Sequence, residues 1–364
     1  MSGEMLITSK VKDYALEVVA GSLESRERLM APWPGKRLFF FVDGNVHRLY
    51  RDRLETFVGV DPMLVIPALE TNKEYAALAE PYRWLVDAGF RRNDVLVTFG
   101  GGILQDVSGF VASTLYRGIP WVFFPTTLLA QADSCIGSKT SINFGDAKNL
   151  IGTFYPPDRI FVDPAFCETL TDAYFGSGLG EIVKFHLMSD ERGYALLRAY
   201  LAEPDLRRSL MLPEVVRSTL EVKRSYFEGD EFDTGRRNLL NYGHCVGHAL
   251  ESASDFGVSH GEAVLVGMGV ADLVSMRRGL MSRETYEEFE ALLRPHYPRF
   301  DVARVPAGEI VRYMRRDKKR VGEGLTMILA CGVGEMLKAD DLTPDEVARA
   351  WDDFVGGYPE RTTP

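Results

Sequence analysis

The stretch DVLVTFGGGILQD, Asp94 to Asp106, joins an apolar run to three glycines and the opening of a second apolar segment. Asp94 to Phe99 has the length of a strand buried on both faces and is too short for a helix. Gly100-Gly101-Gly102 lets the backbone approach a bound group closely, and a helix starting there turns its unpaired N–H groups toward an anion. The same residues also suit a plain tight turn, and they are not the spaced G-x-G-x-x-G fingerprint.

Reading outward, similar runs recur. Arg37 to Val42 (RLFFFV), Met63 to Ile66 (MLVI), Trp121 to Phe124 (WVFF) and Arg159 to Val162 (RIFV) read as four more buried strands. Helical patterns at Lys73 to Ala88 and Leu104 to Thr114 lie between them. Continuous apolar strands alternating with helices predict an α/β unit with a mostly parallel sheet covered on both faces. Pro125-Thr126-Thr127 follows the fourth strand and adds hydroxyls at the same sheet edge, where such folds bind nucleotides.

Beyond about residue 172 the pattern changes. Amphipathic segments dominate: Gly180 to Met188, Leu212 to Phe227, Leu239 to Ser254, Gly261 to Arg278 and Arg283 to Leu293. Leu325 to Leu329 is an isolated strand signal. The predicted organisation is a nucleotide-binding α/β domain over 1–172 and a mainly helical domain over 173–364.

Composition narrows the function classes. The chain has 364 residues, 46% hydrophobic and 26% charged, which is globular rather than disordered. A formal net charge of -10 argues against a nucleic-acid or membrane-surface binder, though a local cation cluster can still meet an anionic substrate. The four cysteines form no C-x-x-C pair and no disulfide framework, so a reducing cytoplasm is expected. The first residues show no signal-peptide pattern, and no run of 18 apolar residues predicts a membrane span.

Three of the six histidines, His244, His248 and His260, fall within 17 residues. His244 and His248 are four apart on a predicted helix and share a face. With Glu181 on another helix, they outline a metal site of nitrogen and carboxylate donors, against the plainer reading of packed histidines and a Glu181–Lys184 surface pair. Lys139, Lys148 and Asn149 stand among small and apolar residues, which suits phosphate binding. Lys223, Arg237, Lys318 and Lys319, taken singly, read as surface charges.

In order along the chain come Glu70-x-x-Lys73, GGG ending at Asp106, Arg117-Gly, PTT at 125–127, Asp133-x5-Lys139, Lys148-Asn149-x-x-Gly and Glu181-x-x-Lys184. Arg237-x3-Asn241-x-x-His244-x3-His248, His260-Gly-Glu and Asp317-Lys-Lys complete the series. From Asp43 to Lys319 the chain resembles the dehydroquinate synthase family of sugar phosphate cyclases. The resemblance implies a Rossmann-like nucleotide-binding domain and a helical one, bound NAD, and a divalent metal, zinc or cobalt. It implies Glu181, His244 and His260 as metal ligands, so His248 moves from the metal to the substrate. Asp43, Glu70, Lys73, Gly101, Gly102, Asp106, Thr126, Thr127, Lys148 and Thr169 match cofactor positions. Arg117, Lys139, Asn149 and Lys318 match the phosphate pocket, with Arg117 supplied by the second subunit of a homodimer. Asp133, Lys184, Asn241 and His248 match positions around the reacting substrate.

The implied reaction is transient oxidation of a ring alcohol, β-elimination of phosphate, reduction, and intramolecular aldol closure. The substrate class is a phosphorylated sugar or sugar acid. Lys223 and Arg237 match the pair that meets a carboxylate, which favours 3-deoxy-arabino-heptulosonate 7-phosphate going to 3-dehydroquinate. Aminodehydroquinate, deoxyinosose and valiolone-type cyclases are the alternatives inside the family. A metal-dependent polyol dehydrogenase and a non-catalytic binding protein are those outside it. Gly137-Ser138-Lys139, where the family often has two glycines before the lysine, and Asp146-Ala147 before Lys148 mark a divergent branch, one suited to secondary metabolism.

Overall fold

The structure is a computed structural model that describes residues 3–145, 147–315 and 324–358. The chain forms two compact units, Met1–Thr171 with Leu210–Glu231, and Asp172–Ser209 with Phe232–Pro364.

The first unit holds strands β1 (Met5–Ile7), β2 (Tyr14–Val18), β3 (Leu38–Asp43), β4 (Met63–Ile66), β5 (Val95–Gly100), β6 (Trp121–Pro125), β7 (Ile142–Phe144), β8 (Ala147–Ile151) and β9 (Arg159–Val162). Its first helices are α1 (Arg26–Met30), α2 (Gly44–Leu49), α3 (Arg51–Val58), α4 (Ala79–Asp87) and α5 (Gly102–Thr114). A seven-stranded sheet runs β1-β2-β9-β6-β5-β3-β4, parallel throughout except for β1 against β2. This is the expected parallel sheet, extended by β1 and β2, but β4, expected to be a buried strand, lies at the sheet edge with Val65 exposed and only Ile66 buried. Every residue of β3 and β5 is buried, which is why these strands read as mainly apolar runs, with Asp43 at the end of β3 and Thr98 within β5 as their polar residues. Phe99 stacks on Phe124 at 4.2 Å between ring centres, and Phe57 meets both edge-on.

From β3 the chain goes to β4 on one side and then to β5 on the other. The strand order therefore reverses between β3 and β5, where open α/β sheets place their ligand crevice. Asp43 ends β3 and Gly100 ends β5, so both predicted cofactor loops flank that point.

The helix expected over Lys73 to Ala88 forms only at α4, preceded by 3-10 turns Glu70–Lys73 and Tyr75–Leu78. Pro81 accounts for this: it donates no N–H and its ring would clash with the carbonyl four residues earlier. One boundary is also corrected. Helix α7 (Glu191–Leu201) lies in the second unit, but α8 (Leu212–Phe227), assigned from sequence to the second domain, belongs to the first. Val215, Val216, Thr219, Leu220 and Lys223 are buried along it. Lys223 Nζ lies 2.7 Å from Asp133 Oδ1 and also bonds the Asp133 carbonyl.

The second unit starts with α6 (Asp172–Leu187) and continues through α9 (His244–Ala253), α10 (His260–Arg277), α11 (Arg283–Leu293), α12 (Ala307–Met314) and α13 (Pro344–Gly356). The strand signal at 325 proves to be one arm of a hairpin, β10 (Leu325–Gly332) with β11 (Glu335–Leu342). Leu239–Ser254 does not form one helix. A 3-10 turn covers Arg236–Asn241, and Gly243 at φ 76° breaks the path before α9. Helix α10 is buried along most of its length and carries a capping box, in which Ser259 N–H donates to Glu262 Oε2 at 3.3 Å.

Candidate active site

In the first unit, Gly101 is the N-cap of α5, and a Cβ there would come within 2.8 Å of Thr127 Cγ2. Glycine is thus required by contact with the Pro-Thr-Thr loop, whose Thr126 N–H donates to Gly100 O at 2.9 Å. At Gly102 a Cβ would meet nothing within 4 Å, so the start of the 13-residue helix stays open to a bound group.

One turn into α5, Asp106 joins a polar network. Its Oδ2 is 2.7 Å from Lys73 Nζ, and its Oδ1 accepts from Ser141 N–H at 2.9 Å. Burial pushes the Asp106 carboxyl up to about 6, with Lys73 pulling the other way. Lys73 also donates to Asn149 Oδ1 at 3.0 Å. Asn149 N–H donates to Asn143 Oδ1 at 2.9 Å, and Asn143 Nδ2 donates to Glu70 Oε1 at 2.8 Å. Glu70, Lys73, Asp106 and Asn149 are therefore one connected set, with Asn143 as the link that sequence reasoning missed. Asn149 holds φ 54°, a left-handed conformation that Asn tolerates better than most residues.

The other first-unit candidates are more dispersed. Asp43 caps α2, accepting from Asn45 N–H at 2.6 Å, and burial raises its carboxyl. Thr169 Oγ1 is 2.9 Å from Tyr50 OH. Lys139, Lys148 and Arg117 are exposed, and Arg117 has φ 63°. Asp133 sits in the turn Ala130–Ser134 beside Lys223. Lys318 and Lys319 lie outside the described residues.

In the second unit the metal-type residues come from three helices. Glu181 and Lys184 lie on α6, His244 opens α9, and His260 opens α10. Glycines beside each ligand set their spacing. A Cβ on Gly180 would fall 2.1 Å from Gly261 O, and one on Gly261 would fall 2.0 Å from Ser177 O. A Cβ on Gly267 would fall 1.9 Å from Gly243 O. The backbones of α6, α9 and α10 thus touch directly, and no side chain fits between them.

The result is a compact donor set. Glu181 Oε1 lies 3.4 Å from His244 Nε2 and 3.3 Å from His260 Nε2. Ligand atoms of His244, His248 and His260 lie within 4.8 Å of one another. Each inner imidazole is oriented through its other nitrogen: His244 Nδ1 meets Tyr242 O at 3.1 Å, and His260 Nδ1 meets Glu251 Oε2 at 3.4 Å. Partners of this kind fix the tautomer that leaves Nε2 for a metal. Sequence reasoning missed Glu251, although it lies three residues after His248 on the same helix.

The electrostatics fit a cation here. Glu181 is fully buried, and neither carboxylate oxygen has a hydrogen bond of proper geometry, although the Lys184 ammonium lies against Oε2. Burial alone would raise this carboxyl; Lys184, His244 and His260 outweigh it and hold it well below the usual range. Burial, reinforced by Lys184, pushes His244 well below its ordinary value. Burial acts the same way on His260, but Glu181 and Glu251 together push it up to about 10. A buried carboxylate facing two oriented imidazoles has the donor chemistry of a divalent transition-metal site. A cavity beside these rings is lined by Asn238, Asn241, His244, Cys245, His248 and Lys338. Arg237 is buried in the turn Arg236–Asn241.

An α/β unit with a strand switch beside its glycine turn, followed by a helical unit with a carboxylate–histidine centre, has the parts of a nucleotide- and metal-dependent enzyme. Family models described as 3-dehydroquinate synthase N-terminal and C-terminal match residues 63–177 and 178–320. The chain belongs to the 3-dehydroquinate synthase family. It is 38% identical over 295 residues to the 3-dehydroquinate synthase of Cereibacter sphaeroides, covering 79% of each chain. It is 30% identical over 338 residues to that of Clostridium botulinum, covering 91% of this chain and 96% of the relative.

Among solved structures, 2-deoxy-scyllo-inosose synthase complexed with carbaglucose-6-phosphate, NAD+ and Co2+ aligns with TM-score 0.84 at 23% identity. That alignment covers 96% of this chain and 100% of the other. The 2-epi-5-epi-valiolone synthase of Streptomyces hygroscopicus with NAD+ and Zn2+ aligns with TM-score 0.81 at 25% identity, covering 96% and 99%. Glycerol dehydrogenase from Schizosaccharomyces pombe aligns with TM-score 0.62 at 17% identity, a likeness of fold. The family and fold expected from the motifs are those found, and the chain is an enzyme of the phosphate-eliminating cyclase type. Among the described residues, no helix is long and apolar enough to cross a membrane.

Proposed function

We propose that this enzyme is a 3-dehydroquinate synthase, converting 3-deoxy-arabino-heptulosonate 7-phosphate to 3-dehydroquinate and phosphate with NAD and a divalent metal. The observation that carries the proposal is the buried Glu181 carboxylate, ion-paired to Lys184 through Oε2 and facing His244 and His260 through Oε1. Glu181, His244 and His260 would hold zinc or cobalt. The open glycine turn at Gly101 and Gly102, with Asp43, Glu70, Lys73, Asp106, Thr126, Thr127, Lys148 and Thr169, would hold NAD. When bound, NAD supplies a reversible hydride acceptor and the metal a Lewis acid.

This chain's residues do the rest by placement and charge. Lys184 holds Glu181 ionised. Asn241 and His248 line the cavity beside the imidazoles and would meet the substrate there. Lys139, Asn149, Lys318 and Arg117 of a second subunit would take the phosphate. Asp133 and Lys223 form a pair, so a substrate that engages one engages both. Buried Lys223 and Arg237 favour a carboxylated substrate over a neutral sugar.

A homodimer fits the exposed apolar residues Tyr75, Phe144 and Leu150 of the first unit, where Tyr75 and Phe144 pair at 6.1 Å. No disulfide joins Cys135, Cys167, Cys245 and Cys331 among the described residues, which fits a reducing cytoplasm. The departures at Ser138 and Asp146 fit a branch serving secondary metabolism. The test is phosphate release by the purified enzyme with NAD and zinc on four substrates: the heptulosonate phosphate, its 4-amino analogue, sedoheptulose 7-phosphate and glucose 6-phosphate. Turnover of the first is expected. Turnover of a neutral sugar phosphate alone overturns the assignment of Lys223 and Arg237.

A further inference from the structure

The loop before Lys139 carries Ser138 where the resemblance implies glycine, and the structure shows how the serine is held. Ser138 has φ 57°, a left-handed conformation for which a side chain is poorly suited. Lys139 N–H donates to Gly137 O at 2.7 Å, so Ser138 is the centre of a three-residue turn of the strained, positive-φ kind. Such a turn persists only where its surroundings hold it.

Two contacts do so. Tyr155 N–H donates to Ser138 O at 2.6 Å on one side. On the other, Ser138 Oγ donates to Glu231 Oε1 at 2.8 Å. Ser138 is 7% exposed and Glu231 only 2%, so this bond is shielded from water. Glu231 is itself anchored at both oxygens. Ser9 Oγ donates to Oε1 at 2.8 Å, and Lys10 N–H donates to Oε2 at 2.6 Å. A carboxylate gathering three donors is a fixed point, and it lies just beyond the end of α8.

We propose that Ser138 and Glu231 are positioning residues that clamp the Gly137–Lys139 turn and so aim the Lys139 ammonium at the substrate phosphate. The inference rests on the assignment of Lys139 to the phosphate. With glycine the left-handed turn would cost little; with serine it is held by the Glu231 bond. The direction in which Lys139 leaves the loop therefore depends on a carboxylate 92 residues further on.

The test compares Ser138→Ala, Ser138→Gly and Glu231→Gln in the full chain with NAD and zinc. Hydrogen exchange over residues 136–141 reads the clamp. Inhibition by inorganic phosphate, together with KM and kcat, reads its function. S138A keeps the strained backbone and loses the bond. It should speed local exchange about tenfold and raise both KM and the phosphate inhibition constant about tenfold, with kcat within about twofold. S138G should stay within about threefold of the parent in both constants, and E231Q should follow S138A. A stability loss in S138A and E231Q with parental exchange over 136–141 would overturn the clamp. Lys139→Ala separates the two layers: an unchanged phosphate inhibition constant there overturns the phosphate role, while the exchange data still decide the clamp.

Discussion

Removing the Glu251 side chain isolates the outer support of one metal ligand. Glu251 touches no metal in the proposed assignment; it holds His260 Nδ1 at 3.4 Å while His260 Nε2 faces Glu181 Oε1 at 3.3 Å. In Glu251→Ala the imidazole loses its orienting acceptor and can rotate or take the wrong tautomer. Loss of an outer-sphere partner of this kind costs about 10- to 100-fold in metal affinity, or roughly 1.4 to 2.7 kcal/mol. The bond is long and the Glu251 side chain is 16% exposed, so the lower figure is expected. His244 serves as an internal reference, because its Nδ1 is held by a main-chain carbonyl that no substitution removes. The assay is competition for zinc against a chelator of known affinity, with circular dichroism to confirm the fold. A folded E251A protein with parental zinc affinity would refute the idea that Glu251 orients His260.

Three further outcomes are expected. Gly261→Ala should cost about 3 kcal/mol or more, because its Cβ would lie 2.0 Å from Ser177 O, whereas Gly308→Ala in α12 meets nothing within 4 Å and should be neutral or stabilising by up to about 1 kcal/mol. Equal denaturation midpoints for the two variants would contradict the close packing of α6 and α10. Asp272, buried beside Tyr242 with Tyr242 OH on Oδ1 at 2.6 Å, has its carboxyl pushed from 3.8 up to about 8 by burial. A raised carboxyl contributes stability that is complete below about pH 4 and lost as pH rises through about 8, a swing of a few kcal/mol that Asp272→Asn should flatten. Parallel stability–pH curves for parent and D272N would dismiss it. Arg237→Ala should weaken a carboxylated substrate about 10- to 100-fold and a neutral sugar phosphate far less, measured as kcat/KM on both; equal losses would remove the carboxylate role.

The inner strands of the central sheet were readable because they are buried on both faces. Trp121–Pro125 carries no polar residue and Val95–Gly100 only Thr98, so the apolar pattern stays legible. Strands β1 and β2 were not, since three residues at Met5–Ile7 carry too little pattern. The placement of α8 was hidden for a different reason: an amphipathic helix records that it packs, not against what. At the centre, histidine spacing marked His244, His248 and His260 with Glu181 as a further donor, and the motif order chose Glu181 over His248. Spacing alone could not rank the fourth residue, because His248 and Glu181 both come near the two inner imidazoles. Tyr242 was invisible in principle, since it acts through its carbonyl and any residue there offers one. Asn143 and Glu231 work through bonds to residues 73 and 93 positions away, a distance no local pattern encodes.

The glycine contacts among α6, α9 and α10 also decide how the second unit comes apart. Helix α9 has 10 residues, too few to persist alone in water. Its helicity is borrowed from the seam with α10, and so is the presentation of His244. Opening that seam would therefore melt α9 and dismantle the centre in a single cooperative step, so amides of α9 and α10 should exchange at one common rate. A protease should find the segment only when the seam is open, and the rate of cutting would then report how often the enzyme passes through a state unable to hold its metal.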